Sequence, residues 1–290
     1  MIFATDLDRT LIYSIRQVKD TAGLVPVEYK NEQPLSYMSN EAVELFQKLK
    51  ENPDLIIIPV TARSTEQFRR IQVVQDCPYA ILACGAVILK DGKPLPIWQQ
   101  FVKQIRTSEK ENYAFFEKFF KAERFFKKNA NLFVIQPRMV DDAVIFFKLR
   151  SDNAADEFLN RLQQEVSDKN WNYIKQGLKV YLSPKLISKQ FALQILLPYL
   201  KEEKGEKNMV AAGDGAGDID FMSLANIARF VPAKSEAYEI VKGSHFATVV
   251  PSGTNGTYEL LKNVQHLTKA QETITLTEIP SRKPTVSIVG

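Results

Sequence analysis

Two carboxylates near the N-terminus have the clearest potential for chemistry in this sequence. Asp6 and Asp8 follow an apolar run, residues 1–4, that is too short for a helix and is typical of a buried strand. At the end of a strand, residues two apart point the same way, so both carboxylates would share one crevice. They would repel each other unless a cation or a shared proton relieved them, and Mg²⁺ prefers such oxygen ligands. A solvated acidic turn is the alternative.

Polar residues also follow two later apolar runs. Thr61 and Arg63 come directly after one of these runs, and Asp214 comes directly after the other. Ligands of open parallel sheets bind outside the carboxyl ends of the strands, so we expect these loops to converge with Asp6. Taken alone, the threonine could simply end a strand, and a Gly-Asp pair is a common turn.

A lysine could add positive charge to this group of residues. Lys189 opens a predicted helix, and Asp218 lies four residues after Asp214, one turn into another helix. Taken alone, Lys189 is typical of a solvated helix residue, and Lys185 is a rival for its role. We interpret the neighbouring Asp220 as an exposed helix residue.

Alternating strands and helices must position these side chains. One helix begins near Ser39, after a polar stretch to about Tyr37 that we expect to be irregular. A second helix begins at Ser64, the first residue of a capping-box pattern, and a strand over residues 79–83 follows it. A hairpin is predicted around residues 91–92, which are Asp-Gly. This alternation predicts an α/β fold with a Rossmann-like parallel-sheet core and right-handed crossovers.

The pattern then changes to helix, strand, strand, twice over. Helices are predicted over residues 108–126 and 153–166, and each precedes two strands. Strands adjacent in sequence indicate a small antiparallel sheet that carries two helices, so we expect an inserted α+β cap. The cap carries basic residues that could meet an anionic or hydroxyl-rich substrate, although such residues are usually solvated; they are Lys127, Lys128, Arg138, Lys148, Arg150, Lys175 and Lys179.

These patterns predict a discontinuous core. The core would span residues 1–101 and 186–267, the cap residues 102–185, and a C-terminal tail residues 268–290. Within the tail, residues 273–277 alternate strictly and could add an edge strand, and a disordered tail is the alternative.

Bulk composition excludes several classes of protein. The chain has 290 residues, of which 45% are hydrophobic and 25% charged, and a net charge of +4. The charges are interspersed, which argues against a nucleic-acid partner, and no apolar stretch is long enough to span a membrane. Only Cys77 and Cys84 occur, which argues against a disulfide scaffold and for a cytoplasmic protein. The oligomeric state is open.

Together the motifs resemble those of the haloacid dehalogenase (HAD) superfamily of phosphatases with a large α/β cap, similar to sucrose-phosphatase and the Cof-type sugar-phosphate phosphatases. The resemblance covers residues 1–267. It includes Asp6-Leu7-Asp8-Arg9-Thr10, Thr61-Ala62-Arg63, Cys84-Gly85-Ala86, Ser188-Lys189-Gln190-Phe191-Ala192-Leu193 and Gly213-Asp214 through Asp218. It implies a magnesium-dependent hydrolase of small phosphorylated metabolites, with sugar phosphates foremost.

The resemblance and the chemistry of the groups give the carboxylates the same roles. Asp6 would be the nucleophile that forms an aspartyl-phosphate. Asp8 would protonate the leaving alkoxide and then activate water, as the second aspartate of the family does. Mg²⁺ would be held by Asp6, Asp214 and the main-chain carbonyl of Asp8, with Asp218 completing the metal site by orienting Lys189 or a metal-bound water.

The remaining residues would act on the phosphoryl group. Thr61 would donate its hydroxyl to a phosphoryl oxygen, and Lys189 would place a fixed charge on the same group. Thr10, Arg63 and Arg9 are predicted to bind substrate.

The sequence departs from the family pattern at three positions. Arg9 and Ala62 stand where glycine is usual, and Gly217 stands where asparagine is common. A long cation at position 9 could touch the phosphate, narrow the entrance or point to solvent.

Two other functions remain open from the sequence. A phosphosugar mutase of the phosphomannomutase type would share the core and a similar cap, and a regulatory protein could bind a phosphometabolite without turnover. Release of inorganic phosphate separates the hydrolase from both.

Overall fold

A five-stranded parallel sheet forms the centre of the computed structural model, which describes residues 1–18, 20–122, 133–151, 155–205 and 207–277. All its strand pairs are parallel. In spatial order the strands are β15 (Thr248–Val250), β14 (Ala228–Pro232), β13 (Met209–Ala212), β1 (Ile2–Thr5) and β5 (Ile56–Pro59). The predicted α/β class with a parallel core is therefore confirmed.

Helices cover both faces of this sheet, and its central strands are buried at every position. Alternate residues pack to opposite sides: Ile2 and Ala4 on one face, Phe3 on the other. The helices are α1 (Asn40–Lys50), α2 (Thr65–Phe68), α3 (Pro96–Ser108), α4 (Lys110–Ala122), α5 (Asp156–Asp168), α6 (Lys189–Lys204), α7 (Ala216–Met222), α8 (Glu236–Val241) and α9 (Thr254–Thr277). The predicted Ser39 and Ser64 caps are confirmed, since each serine side chain accepts a backbone N–H of its helix.

Two small antiparallel sheets flank the core. One contains β2 (Tyr13–Ser14), β4 (Gln33–Ser39) and β3 (Leu24–Lys30); the other contains β6 (Tyr79–Leu82), β7 (Val87–Lys90) and β8 (Lys93–Pro94). The expectation of an irregular stretch to Tyr37 was wrong, because Asn31 and Glu32 adopt positive φ and close a β3–β4 hairpin. The predicted hairpin at Asp91 and Gly92 is confirmed.

A four-stranded antiparallel sheet forms the lobe between β8 and α6. Its order is β11 (Trp171–Gln176), β12 (Lys179–Pro184), β10 (Val144–Leu149) and β9 (Phe133–Val140). One face packs on α4 and α5 through aromatic and aliphatic side chains, and the other belongs to the same apolar cluster as the core sheet. The cap boundaries at residues 102 and 185 stay a prediction.

Two helix predictions need correction. The predicted helix over residues 108–126 corresponds to α4 in the described residues, but α3, which ends at Ser108 just before it, was not predicted. The alternating residues 273–277 continue α9 rather than forming a strand, since a helix already under way needs no new nucleus. Residues 123–128, which include Lys127 and Lys128, residue 153 and residues 278–290 lie outside the described part of the chain. Within that part, no helix combines the length and apolarity needed to cross a bilayer.

Candidate active site

Three adjacent strands of the core sheet end at the candidate site. Asp6 follows β1 directly, and its N–H donates to Ala212 O on β13 at 2.9 Å. Thr61 lies two residues beyond β5 and Asp214 two beyond β13, so the predicted loops converge at one edge. Both residues are almost fully buried, as is Asp6.

Lys189 lies between two of the aspartates. Its Nζ donates to Asp6 Oδ1 at 2.8 Å and to Asp218 Oδ1 at 2.7 Å, and only 4% of the residue is exposed. Electrostatic attraction to both carboxylates outweighs the cost of burial and raises the pKa of the lysine, so it stays charged. The rival Lys185 is exposed.

The position of Lys189 depends on a tight packing of two chain segments. Ser188 caps α6 by accepting the N–H of Phe191 at 3.1 Å. Gly85 passes directly beneath this cap: a Cβ at Gly85 would stand 2.2 Å from Ser188 O. Glycine also permits the backbone here, where φ is +102°.

Asp218 has both oxygens engaged inside the protein. Besides Lys189 on Oδ1, its Oδ2 accepts the N–H groups of Asp214 and Gly215 at 3.1 and 2.9 Å. This arrangement holds the loop after β13 against the start of α7 and leaves Asp218 suited to orienting its neighbours. Asp220 is exposed, as the sequence indicated.

Asp6, Asp214 and Asp218 place one oxygen each within 4.8 Å of the others. Burial and the neighbouring carboxylates raise the pKa of Asp6 and of Asp214, even though Lys189 and Arg9 act in the opposite direction. Ionised together, they need a cation close by. The donor set is all oxygen, which fits Mg²⁺.

Arg63 engages Asp8 rather than standing open in the site. Its Nε donates to Asp8 Oδ2 and its Nη2 to Asp8 Oδ1, both at 2.8 Å, while Nη1 donates to Glu28 Oε1 at 2.6 Å. Burial alone would raise the pKa of Asp8, but the guanidinium holds it well below its usual range. Asp8 is accordingly an ionised carboxylate in this arrangement.

Arg9 reaches the loop after β13. Its Nε lies 3.1 Å from Asp214 Oδ2, and about half of its side chain is exposed. The backbone of Arg9 has φ of +62°, the left-handed region that favours glycine. The sequence left three orientations open for Arg9, and its pairing with Asp214 is none of them.

The two threonines of the site are buried. Thr10 Oγ1 has no hydrogen-bond partner, the single such case among the buried side-chain atoms of the described residues. A buried hydroxyl without a partner is costly, so a ligand oxygen at this point would be stabilising. Thr61 Oγ1 accepts the N–H of Arg63 at 3.2 Å, which leaves its own proton available to donate.

The four-stranded sheet lies over this edge of the core. Gln176 Nε2 comes within 3.2 Å of the point that a Cβ on Gly215 would occupy, and Ile174 comes within 3.4 Å of the same point on Gly217. The departure from asparagine at position 217 therefore leaves room for a cap strand. Asp141, in the β9–β10 turn, accepts the N–H of Thr65 at 3.0 Å.

Two residues near the site were not singled out from the sequence. Glu28 is buried on β3 and also accepts the hydroxyl of Ser36 at 2.5 Å. Tyr181 is buried on β12, close enough to feel the charges of Asp8 and Lys189. A single acidic residue among the mostly apolar residues of Leu24–Lys30 was the available signal for Glu28. No such signal in the sequence indicated Tyr181.

The two cysteines are buried. Burial raises the pKa of each thiol to about 12. Neither Cys77 nor Cys84 is therefore a nucleophile at neutral pH.

Solved structures provide the comparison for this arrangement. The fold matches that of a sucrose-phosphatase from Synechocystis in complex with sucrose and phosphate, at 15% identity and a TM-score of 0.58. The match covers 91% of this chain and 97% of that chain. It also matches a HAD subclass IIB sugar phosphatase, at 14% identity and TM-score 0.52 over 98% of that chain. The C-terminal domain of a Candida albicans trehalose-6-phosphate phosphatase matches at 13% identity and TM-score 0.54, over 91% of this chain and 92% of that one. The chain has the fold of these HAD phosphatases. No protein-family model and no curated protein matches the sequence.

Proposed function

We propose that this protein is a magnesium-dependent phosphomonoester hydrolase that acts on a small phosphorylated metabolite of the sugar-phosphate class. The observation that carries the proposal is the contact of Lys189 with both Asp6 and Asp218, at the strand ends where Asp214 also lies. The shared fold with sugar phosphatases supports it.

Asp6 is the nucleophile of the proposed reaction. A bond forms between its carboxylate oxygen and phosphorus while the bond from phosphorus to the leaving oxygen breaks. Lys189 fixes the orientation of Asp6, and it offsets the charge of the phosphoryl group together with the Thr10 and Thr61 hydroxyls. Asp6, Asp214 and the Asp8 carbonyl would hold Mg²⁺, which would supply further positive charge at this group.

Asp8 transfers the protons in both halves of the reaction. It gives a proton to the leaving alkoxide and later takes one from the water that attacks the aspartyl-phosphate, which releases inorganic phosphate and restores Asp6. The first half requires a protonated Asp8, which the Arg63 contact opposes. An incoming phosphate offers Arg63 another anion, so substrate binding would loosen its contact with Asp8.

A phosphate-release screen over many phosphorylated metabolites tests this function. We expect turnover with Mg²⁺, its loss in EDTA, and a fall in kcat of orders of magnitude in Asp6→Asn with folding intact. Asp220→Asn is the matched control, since it removes an exposed acid near the site and should leave kcat unchanged. A folded Asp6→Asn variant with near wild-type activity, or turnover untouched by EDTA, would contradict the proposal.

A further inference from the structure

A row of three polar side chains crosses the face of the four-stranded sheet that is turned to the core. Lys148 and Lys179 are direct partners across β10 and β12, and Gln176 on β11 is the next partner of Lys179. Their strand neighbours Phe147 and Val180 pack on the cap helices. Because strand side chains alternate, the row belongs to the opposite face, with Phe146 and Tyr181.

The row begins above the site. Gln176 lies over Gly215, next to Asp214. Lys179 is close enough to Asp8 and Cys84 to act on both electrostatically. Lys148 continues the row one strand further, about 5 Å away. A substrate whose phosphate lies at Asp6 would place its far end along this row of side chains.

The two lysines differ from the other cations of the site. Lys189, Arg63 and Arg9 each pair with a carboxylate. Among the described residues, Lys148 and Lys179 take part in no ion pair.

The placement of these two lysines has a cost. Like charges directly opposite each other in an antiparallel pair are destabilising, and both side chains are half-buried rather than fully solvated. A ligand anion between the two ammonium groups would remove that repulsion.

We propose that Lys148 and Lys179 bind a second anionic group of the substrate, a carboxylate or a second phosphate, on the leaving-group side. Gln176 is placed to contact a hydroxyl between the two ends. This inference rests on the proposed hydrolase function and narrows its substrates. They are phosphate esters of acids, or bisphosphates, rather than esters of neutral sugars.

Matched substrate pairs test the second anion. 6-Phosphogluconate and glucitol 6-phosphate differ only in a terminal carboxylate, as 3-phosphoglycerate and glycerol 3-phosphate do. Comparison of fructose 1,6-bisphosphate with fructose 6-phosphate tests whether the second anionic group is a phosphate rather than a carboxylate. We expect the wild-type protein to favour the doubly anionic member of at least one pair by about tenfold or more in kcat/KM.

Substitutions at the two lysines test whether they cause the preference for the doubly anionic substrate. In the double variant Lys148→Gln/Lys179→Gln, the ratio within the favoured pair should fall about tenfold or more, whereas Lys148→Arg/Lys179→Arg should retain it. Lys118→Gln, an exposed lysine on α4, is the control that should leave the ratio and the basal rate with p-nitrophenyl phosphate unchanged. A purely structural effect would lower both members of a pair equally.

The outcomes separate this inference from the proposed function. A wild-type protein that hydrolyses p-nitrophenyl phosphate but discriminates in none of the pairs, or a glutamine variant that keeps the wild-type ratio, overturns the anion site alone. If no ester is hydrolysed, the proposed function fails, and calorimetry with the same pairs decides the anion site. Lysine-dependent preference in binding supports it, and equal binding within every pair overturns it.

Discussion

Arg63 holds both carboxylate oxygens of Asp8, with Nε and Nη2 each 2.8 Å from its own oxygen. Such bidentate contacts combine charge with fixed geometry. Glu28 accepts a hydrogen bond from the third nitrogen of the same guanidinium. Asp8, the residue proposed to transfer protons, is therefore positioned by a series of contacts that begins with Glu28 on the β3–β4 hairpin. These contacts hold the pKa of Asp8 low and keep it ionised. In the proposed reaction, a substrate anion that competes for Arg63 would release Asp8.

Asp8→Asn should impair leaving-group protonation more than phosphate binding. A sugar alkoxide needs the proton to leave, whereas p-nitrophenolate needs it much less. We therefore expect a larger loss of kcat on sugar phosphates than on p-nitrophenyl phosphate, measured in parallel. Equal losses on both substrates would mean that Asp8 serves only the metal.

Glu28→Gln should destabilise the protein by about 1–3 kcal/mol, because it removes one of the two carboxylate charges that pair with a mostly buried guanidinium. Urea unfolding measures this change. Glu66→Gln is the matched control: Glu66 also pairs with an arginine, Arg70, but its side chain is 86% exposed, so we expect less than about 1 kcal/mol. Equal effects of the two substitutions would show that Glu28 adds nothing beyond a surface ion pair.

The metal-free protein should lose stability as pH rises from about 4 towards neutral. Burial and mutual repulsion raise the pKa of Asp6 and Asp214 in the folded state, so the folded protein binds more protons than the unfolded chain in this range. The free energy of unfolding then falls with rising pH.

Mg²⁺ should raise the Tm, and by more at pH 8 than at pH 5, because binding needs ionised carboxylates. Thermal unfolding with and without Mg²⁺ checks this. A Tm increase that is equal at both pH values, or absent, would argue against a carboxylate metal site.

The core could be predicted from the sequence because local signals agreed with the final fold. Ser39 and Ser64 are caps with a recognisable spacing, and the all-apolar runs before Asp6, Thr61 and Asp214 are typical of buried parallel strands. When such strands are neighbours in a parallel sheet, the residues after them must lie together.

Partners across the fold could not be predicted in this way. Glu28 and Arg63 are 35 positions apart, and nothing local to either residue specifies the pairing. The hairpin that carries Glu28 was missed because Asn31 and Glu32 close it with positive φ in a pair lacking the usual glycine. Helix α3, which ends at Ser108 immediately before the predicted helix, was also missed.

Gly85→Ala should disturb the site from outside it. The new Cβ would stand 2.2 Å from Ser188 O, so the start of α6, and Lys189 with it, would have to move. Gly92→Ala is the matched control, with φ of +71° and no atom within 4 Å of its Cβ position. It isolates the strain of positive φ, about 1–2 kcal/mol. In urea unfolding we expect Gly85→Ala to cost more than Gly92→Ala. We also expect a large fall in kcat for Gly85→Ala and none for Gly92→Ala, measured by phosphate release. If both variants lost the same stability and kept full activity, the close approach of Gly85 to Ser188 would not be what positions Lys189.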